Sequence, residues 1–320
     1  MDSSYLAVMK TKLKEASYFW IEGVFEACCF HRVIILFIRS KNLSIRSGQC
    51  FLLNGFLFLG SIVLLNSIVI PTLRWMLPDL CSETILQWQC SCSALYSLLR
   101  FTFIQLFYVF WFYPLYIFSF ILSSLWYNEI ARLGFDALGR KVPISTEKSK
   151  NEVLIEGSLS SERPAGLGGV MLGIGEQIYS ALLFTIFFLE VYAIGFIPYV
   201  GKPLNFILLS WMYSYYSFEY KWNLSKVSLD KRLDFFESNW AFFAGFGSPC
   251  VLAIFFFSPL VSYGIMAVLF PVFVLTATSS EADVVVLSPR RNWEGKGLMR
   301  LPIFYLADII SMRVLSFLKK

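Results

Sequence analysis

Histidine is almost absent from this 320-residue sequence, which contains one, His31. A relay or a metal site that needs two histidines is therefore excluded. Cys28 and Cys29 lie beside His31, but a structural zinc site takes four ligands at recognisable spacings. The glycine-rich stretch 166–175 lacks the GxGxxG spacing of a dinucleotide site, and no predicted strand precedes it. We therefore predict a protein that is not an enzyme and that has no catalytic residues, cofactor or metal site.

Charged residues are also scarce: they make up 15% of the chain, whereas a soluble domain has about 25%. Hydrophobic residues make up 57%, and the mean hydropathy is +0.63. Long runs without any charge predict an all-α, multi-pass transmembrane helical bundle surrounded by a lipid bilayer. The net charge of +5 does not indicate nucleic-acid binding, because the basic residues do not cluster on a soluble module.

The uncharged runs define the predicted spans, because a bilayer core about 30 Å thick needs roughly 20 apolar residues in a helix. The run 240–278 is too long for one crossing and too short for two, and Pro249 and Pro259 divide it. It therefore predicts a helical hairpin that penetrates only part of the bilayer. Pro114 predicts a kink in the second span. The predicted membrane domain, 51–279, has spans at 51–70, 101–126, 178–198 and 203–218, followed by this hairpin.

Lys and Arg indicate the orientation, with seven in 1–50, six in 127–177, four in 219–239 and seven in 280–320. These four segments fall on one side of the membrane if each apolar run returns the chain as predicted. Cytosolic loops carry such an excess of Lys and Arg. We therefore expect both termini, the loop 127–177 and the tail 280–320 in the cytosol.

The first fifty residues contain no span, but they carry an amphipathic pattern. Leu6, Met9 and Leu13 recur at helical spacing, and Lys10 and Lys12 supply charge nearby. This pattern predicts a helix that lies in the membrane interface. The same pattern is expected of a helix that packs on the cytosolic loops. Both interpretations make 1–50 a cytosolic amphipathic segment.

Two acidic residues are candidate intramembrane or interfacial polar sites. Glu190 lies well inside a predicted span, where a charge is costly and should face the bundle interior. It indicates either an ion or proton relay, or a protonated carboxyl group bonded to Tyr or Ser of a neighbouring helix. Glu219 lies at the membrane interface, where Lys221 can pair with it.

Cysteines cluster in a loop that is predicted to be non-cytosolic, at Cys81, Cys90 and Cys92. If that side is the lumen of the endoplasmic reticulum, a disulfide between two of them is expected. The sequence leaves open which two. Cys28 and Cys29 precede the first span and are candidates either for palmitoylation or for plain apolar contacts.

Unusual strings point to a known family. They are QCFLLNGF (49–56), YPLYIFSFILSSLWYNEIARLGFDALGRK (113–141), SYYSFEYKWNLSKVSLDKRLDFFESNWAFFAGFGSPC (214–250) and LFPVFVLTATSSEA (269–282). In this order they resemble the etoposide-induced protein family of endoplasmic reticulum membrane proteins, over residues 49–320. A more distant resemblance connects the chain to bacterial sulfate-uptake permeases, which pair long spanning helices with partial-depth hairpins.

The resemblance implies an endoplasmic reticulum membrane protein required for autophagy, at the step that forms degradative autolysosomes, with a growth-suppressive or pro-apoptotic role in animal members. It implies other membrane or autophagy proteins as partners, which would contact cytosolic loops such as 219–239. Residues 1–48 do not match the Arg-rich N-terminal stretch of the better-known members, so importin binding is not carried over. The permease likeness implies an alternative, a transporter or channel for a small, sulfate-like anion.

Overall fold

The computed structural model describes residues 3–76, 87–139, 167–282 and 298–318, and these residues form helices and turns without any strand. The predicted all-α class is therefore confirmed. The helices are α1 (Ser3–Ala27), α2 (Phe30–Arg39), α3 (Lys41–Met76), α4 (87–137), α5 (Leu167–Ile194), α6 (Gly201–Leu224), α7 (Leu229–Ser238), α8 (Trp240–Leu252), α9 (Pro259–Ser279) and α10 (Tyr305–Leu318).

Within the described part of the chain, four helices are long and apolar enough to cross a membrane. They are Lys41–Met76, Ser97–Ala137, Gln177–Ile194 and Pro259–Ser279. A multi-pass membrane protein is the only setting in which so much uncharged helical surface is stable, because lipid replaces the missing protein contacts. The fold therefore defines a multi-pass helical bundle, as the uncharged runs predict.

The predicted segments 203–218 and 240–278 form part of one helix and a pair of helices, respectively. The segment 203–218 lies inside α6, which other helices bury over much of its C-terminal half. The segment 240–278 forms α8 and α9, joined by a turn at 253–258. The two arms differ, because α8 has 13 residues, about 20 Å of helix, and α9 has 21.

A widened turn accompanies the proline in α4. Proline has no N–H, and its ring crowds the carbonyl four residues earlier, which for Pro114 is that of Phe110. The five residues Tyr108–Phe112, which end two positions before the proline, adopt a π-helical turn. A π-turn is a common way for a helix to absorb such a disturbance, so the sequence feature that predicts a kink also explains this local geometry.

The centre of the bundle is α8, which lies between α1 and α6. Glycines allow the three backbones to touch. A Cβ atom on Gly245 would lie 1.9 Å from the carbonyl oxygen of Trp20 on α1, and one on Gly247 would lie 1.8 Å from that of Ser210 on α6. On α1, a Cβ on Gly23 would lie 2.0 Å from the carbonyl oxygen of Phe242. Small residues permit this close packing of apolar helices without a hydrophobic driving force from water.

The contact with α8 determines which face of α1 is buried. Its buried face, which includes Phe19 and Ala27, packs on α8, whereas Leu13 and Phe25 are exposed. The helix thus combines packing on protein with an exposed apolar surface, which are the two properties that the amphipathic pattern left open.

We expect Gly245→Ala to destabilise the protein strongly, because the new methyl group would overlap a backbone oxygen that no side-chain rotation can move. The loss should exceed about 2 kcal/mol, seen as a lower apparent Tm of the purified protein in detergent. Gly48→Ala is the matched control: a Cβ there meets nothing within 4 Å. Equal apparent Tm values for the two variants would contradict the close approach of α1 and α8.

Candidate functional site

The predicted site residue Glu219 lies in a group of polar side chains where α5, α6, α7 and α9 meet. Its carboxylate accepts a hydrogen bond from the Ser180 hydroxyl of α5, at 3.1 Å. One turn further along α6, the side-chain oxygen Oδ1 of Asn223 accepts a hydrogen bond from the Gln177 side-chain amide of α5, at 3.2 Å. These two contacts hold α5 antiparallel to α6 and set their register.

Two buried cations extend these contacts to α7 and α9, with Lys221 on the side of α6 away from Glu219 and Asn223, because residues two apart on a helix do not face each other. Lys221 is 8% exposed, and its Nζ donates to the backbone carbonyl oxygen of Ser280, just after α9, at 2.6 Å. Arg232 of α7 is 3% exposed. Its guanidinium donates to the Val227 carbonyl oxygen at 2.8 Å and to Asn223 Oδ1 at 2.7 Å.

We name these residues the interfacial cluster: Ser180, Gln177, Glu219, Lys221, Asn223, Arg232 and Ser280. Its cations bond to carbonyl and amide oxygens at helix ends, where the backbone leaves acceptors without an intrahelical partner. Just below the cluster, the hydroxyl of the fully buried Tyr215 has no hydrogen-bond partner among the described residues. The cluster therefore acts chemically as a charged clasp that joins four helices at one end of the bundle.

Glu190 lies elsewhere. It is ten residues beyond Ser180 on α5, about 15 Å along the helix, so the structure does not bring the two predicted acidic residues together. Its side chain is half-buried, and Oε1 has no hydrogen-bond partner among the described residues. Glu190 is one turn from the end of α5 at Ile194, which places the carboxyl group near the bundle's other end rather than at its middle.

The predicted disulfide stays a prediction. Cys81 lies outside the described residues, as do the side chains of Cys90 and Cys92. Four other cysteines, Cys28, Cys29, Cys50 and Cys250, have free thiols.

A second polar cluster, which the sequence reasoning missed, lies inside the membrane region around Asn54. This residue of α3 is fully buried. Its Nδ2 donates to the Ser123 hydroxyl of α4 at 2.8 Å and to the Ala267 carbonyl oxygen of α9 at 3.3 Å, and its Oδ1 accepts from Ser119. Tyr127 donates to the same Ala267 oxygen at 3.1 Å. The sequence contains these groups: Asn54 is an amide in the uncharged run 51–70, and Ser119 and Ser123 lie four residues apart in the uncharged run 101–126.

The two clusters have different characters. The Asn54 cluster is neutral and joins α3, α4 and α9 within lipid-facing helices, where charge would be costly. The interfacial cluster contains charged side chains and lies at helix ends. Together they show a helical membrane protein whose buried polar groups hold helices to one another.

Comparison with known proteins gives the family. Residues 29–271 match the model of the family described as "Sulfate transporter CysZ/Etoposide-induced protein 2.4". The chain is 58% identical over 310 residues to "Protein EI24 homolog" of Arabidopsis thaliana, covering 96% of this chain and 97% of that protein. It is 30% identical over 292 residues to "Protein EI24 homolog" of Dictyostelium discoideum, covering 91% of this chain and 81% of that protein. This multi-pass membrane protein belongs to the CysZ/etoposide-induced protein 2.4 family.

A shorter similarity connects the chain to "Ectopic P granules protein 4" of Caenorhabditis elegans, 35% identical over 82 residues, which is 25% of this chain and 26% of that protein. No solved structure matches the chain. The resemblance seen in the strings around Asn54 and Glu219 is thereby confirmed, with the permease likeness contained in the family's own description.

We expect Lys221→Met to destabilise the bundle, because the Ser280 carbonyl oxygen loses a charged donor and α6 is released from the end of α9. Bonds to charged groups contribute about 1.5–3 kcal/mol. The measurement is the apparent Tm of the purified protein in detergent. Lys202→Met is the matched control, since Lys202 lies on the same helix and is exposed; its effect should stay within about 0.5 kcal/mol. If the two variants lowered Tm equally, the clasp would have no special role.

Proposed function

We propose that this protein is a non-enzymatic endoplasmic reticulum membrane protein required for autophagy, at the step that forms degradative autolysosomes. Family membership over almost the whole chain carries the proposal. Both clusters support it, because their hydrogen bonds run between helices and give each cluster a scaffolding role. The proposal includes a growth-suppressive or pro-apoptotic role, as the family resemblance implies.

Both termini face the cytosol in this proposal. The excess of Lys and Arg in 1–50, 127–177, 219–239 and 280–320 supports that orientation. The interfacial cluster then lies at the cytosolic end, beside the charged helix α7. Lys231 of α7 would contact autophagy proteins or anionic head groups from there.

The experiment is a knockout scored for autophagic flux. Cells that lack the protein should degrade an autophagic cargo several-fold more slowly than normal cells, and the wild-type chain and Lys202→Met should restore the rate. A tag at either terminus should locate the chain to the endoplasmic reticulum and be removed by protease added to sealed microsomes. Normal cargo clearance in the knockout would overturn the proposal, whatever the location of the tagged chain.

A second candidate function is transport of a small, sulfate-like anion. The family description names a sulfate transporter, and the α8–α9 hairpin has a helix N-terminus, at Pro259, inside the apolar region. Helix N-termini attract anions because their N–H groups are unpaired. Purified protein in phosphatidylcholine vesicles should then take up radiolabelled sulfate faster than empty vesicles. Uptake equal to that of empty vesicles would exclude this function without touching the first proposal.

A further inference from the structure

The segment before α10 is firmly fixed to the corner between α7 and α8. Arg300 bonds to Glu237 at 2.8 Å and to Asp234 at 2.6 Å. The Glu237 carboxylate also accepts a hydrogen bond from the backbone N–H of Phe304 at 3.1 Å. The hydrogen bond between Arg300 and Glu237 raises the pKa of the Arg300 guanidinium. Because Arg300 and Asp234 are both largely exposed, this corner lies where water or lipid head groups can solvate a charged pair.

The ring of Phe304 points from this corner into the bundle. It is fully buried among aromatic rings, with centroids 4.9 Å from Phe187, 5.3 Å from Tyr215 and 5.7 Å from Phe236. Four residues later, Asp308 accepts a hydrogen bond from the Tyr179 hydroxyl. The membrane-crossing part of α5 begins at Gln177. The start of α10 therefore lies beside Phe187, near the middle of this span, and Asp308 lies beside Tyr179, near the beginning of the span.

The two faces of α10 reverse the usual arrangement of a soluble helix. The face that packs on the bundle carries small residues, Ala307 and Ser311, both fully buried. The opposite face carries large apolar side chains that are each more than half exposed: Tyr305, Leu306, Met312 and Phe317. A surface helix of a soluble protein turns its large apolar residues inward instead.

We propose that α10 is an interfacial membrane helix whose outer face, Tyr305, Leu306, Met312 and Phe317, is inserted into the lipid leaflet beside the start of α5. This departs from the expectation that 280–320 is a tail in the cytosol. It rests on the membrane-spanning fold and does not depend on the role in autophagy.

Lipid is the occupant of this face because the face continues a surface that lipid already covers. Helix α10 packs on α5, and α5 exposes Phe188 and Leu189 within its membrane-crossing part. Arg313 lies among the exposed apolar residues of α10, and its side chain is long enough to reach lipid phosphates while its stem stays in contact with apolar groups. A helix in the interface plane buries such an apolar face at the boundary between head groups and acyl chains.

The test places a nitroxide spin label on single sites of the full chain in phosphatidylcholine nanodiscs. The variants Leu306→Cys and Met312→Cys are compared with Asp230→Cys on exposed α7 and Val63→Cys on the lipid-facing side of α3. All carry Cys28→Ser and Cys29→Ser, and the signal of that parent is subtracted. Collisions with dissolved oxygen report lipid, and collisions with a water-soluble nickel chelate report water.

We expect Leu306→Cys and Met312→Cys to resemble Val63→Cys rather than Asp230→Cys, with nickel collisions severalfold below those of Asp230→Cys and high oxygen collisions, because the apolar face of an interfacial helix is buried at the boundary between head groups and acyl chains. Nickel collisions equal to those of Asp230→Cys would show a helix in water and overturn the proposal. Low collisions with both reagents would show a second copy or another protein on this face and would also overturn it. Each labelled variant must elute as the parent does, so that an unfolded variant is recognised.

Discussion

The direct contact of the α8 backbone with its two neighbours is the constraint on which the rest of the bundle depends. Gly245 turns toward α1 and Gly247 toward α6, and neither position has room for a Cβ atom. A 13-residue helix is too short to cross a bilayer by itself, so α8 needs protein around its backbone. The glycines make that enclosure tight, and the fully buried rings of Phe242, Phe243 and Phe246 fill the remaining space.

The position of α8 then determines the arrangement of the end of the molecule that carries the interfacial cluster. Asn239 and Trp240 join α7 to α8, so the depth of α8 fixes where α7 lies. That placement brings Arg232 to Asn223 and Glu237 to Arg300. The interfacial cluster and the docking of the C-terminal segment are therefore consequences of one apolar contact. Charged groups are held at this end because lipid excludes them from the middle.

The sequence predicts much of this fold because hydropathy measures transfer into lipid, and the uncharged runs 51–70, 101–126 and 178–198 coincide with helices that are long and apolar enough to cross a membrane. It predicts Glu219 at the membrane interface, and the structure has Glu219 five residues before the end of α6 at Leu224. It does not predict that α1 packs on α8, because that contact depends on glycines, which carry almost no hydropathy signal. Asn54 was missed for a related reason: one amide barely changes the hydropathy of a span, although it organises three helices. The distance between Glu190 and Glu219 follows from the antiparallel register of α5 and α6, which only packing reveals.

The arrangement of polar groups favours a scaffold over a permeation path. The Asn54 cluster includes Tyr127, and the ring of Tyr127 packs on Phe270 at 5.1 Å. On its other side, Phe270 stacks on Tyr216 at 4.9 Å, and Tyr216 bonds to Tyr220 beside the interfacial cluster. The two polar regions are thus separated by a packed layer of rings. An anion that crossed between them would have to part this layer and lose its hydration with no charged partner in between, which is costly in a low-dielectric interior. Transport would therefore require a second arrangement of α4, α6 and α9, whereas a scaffold uses the arrangement that the contacts already stabilise.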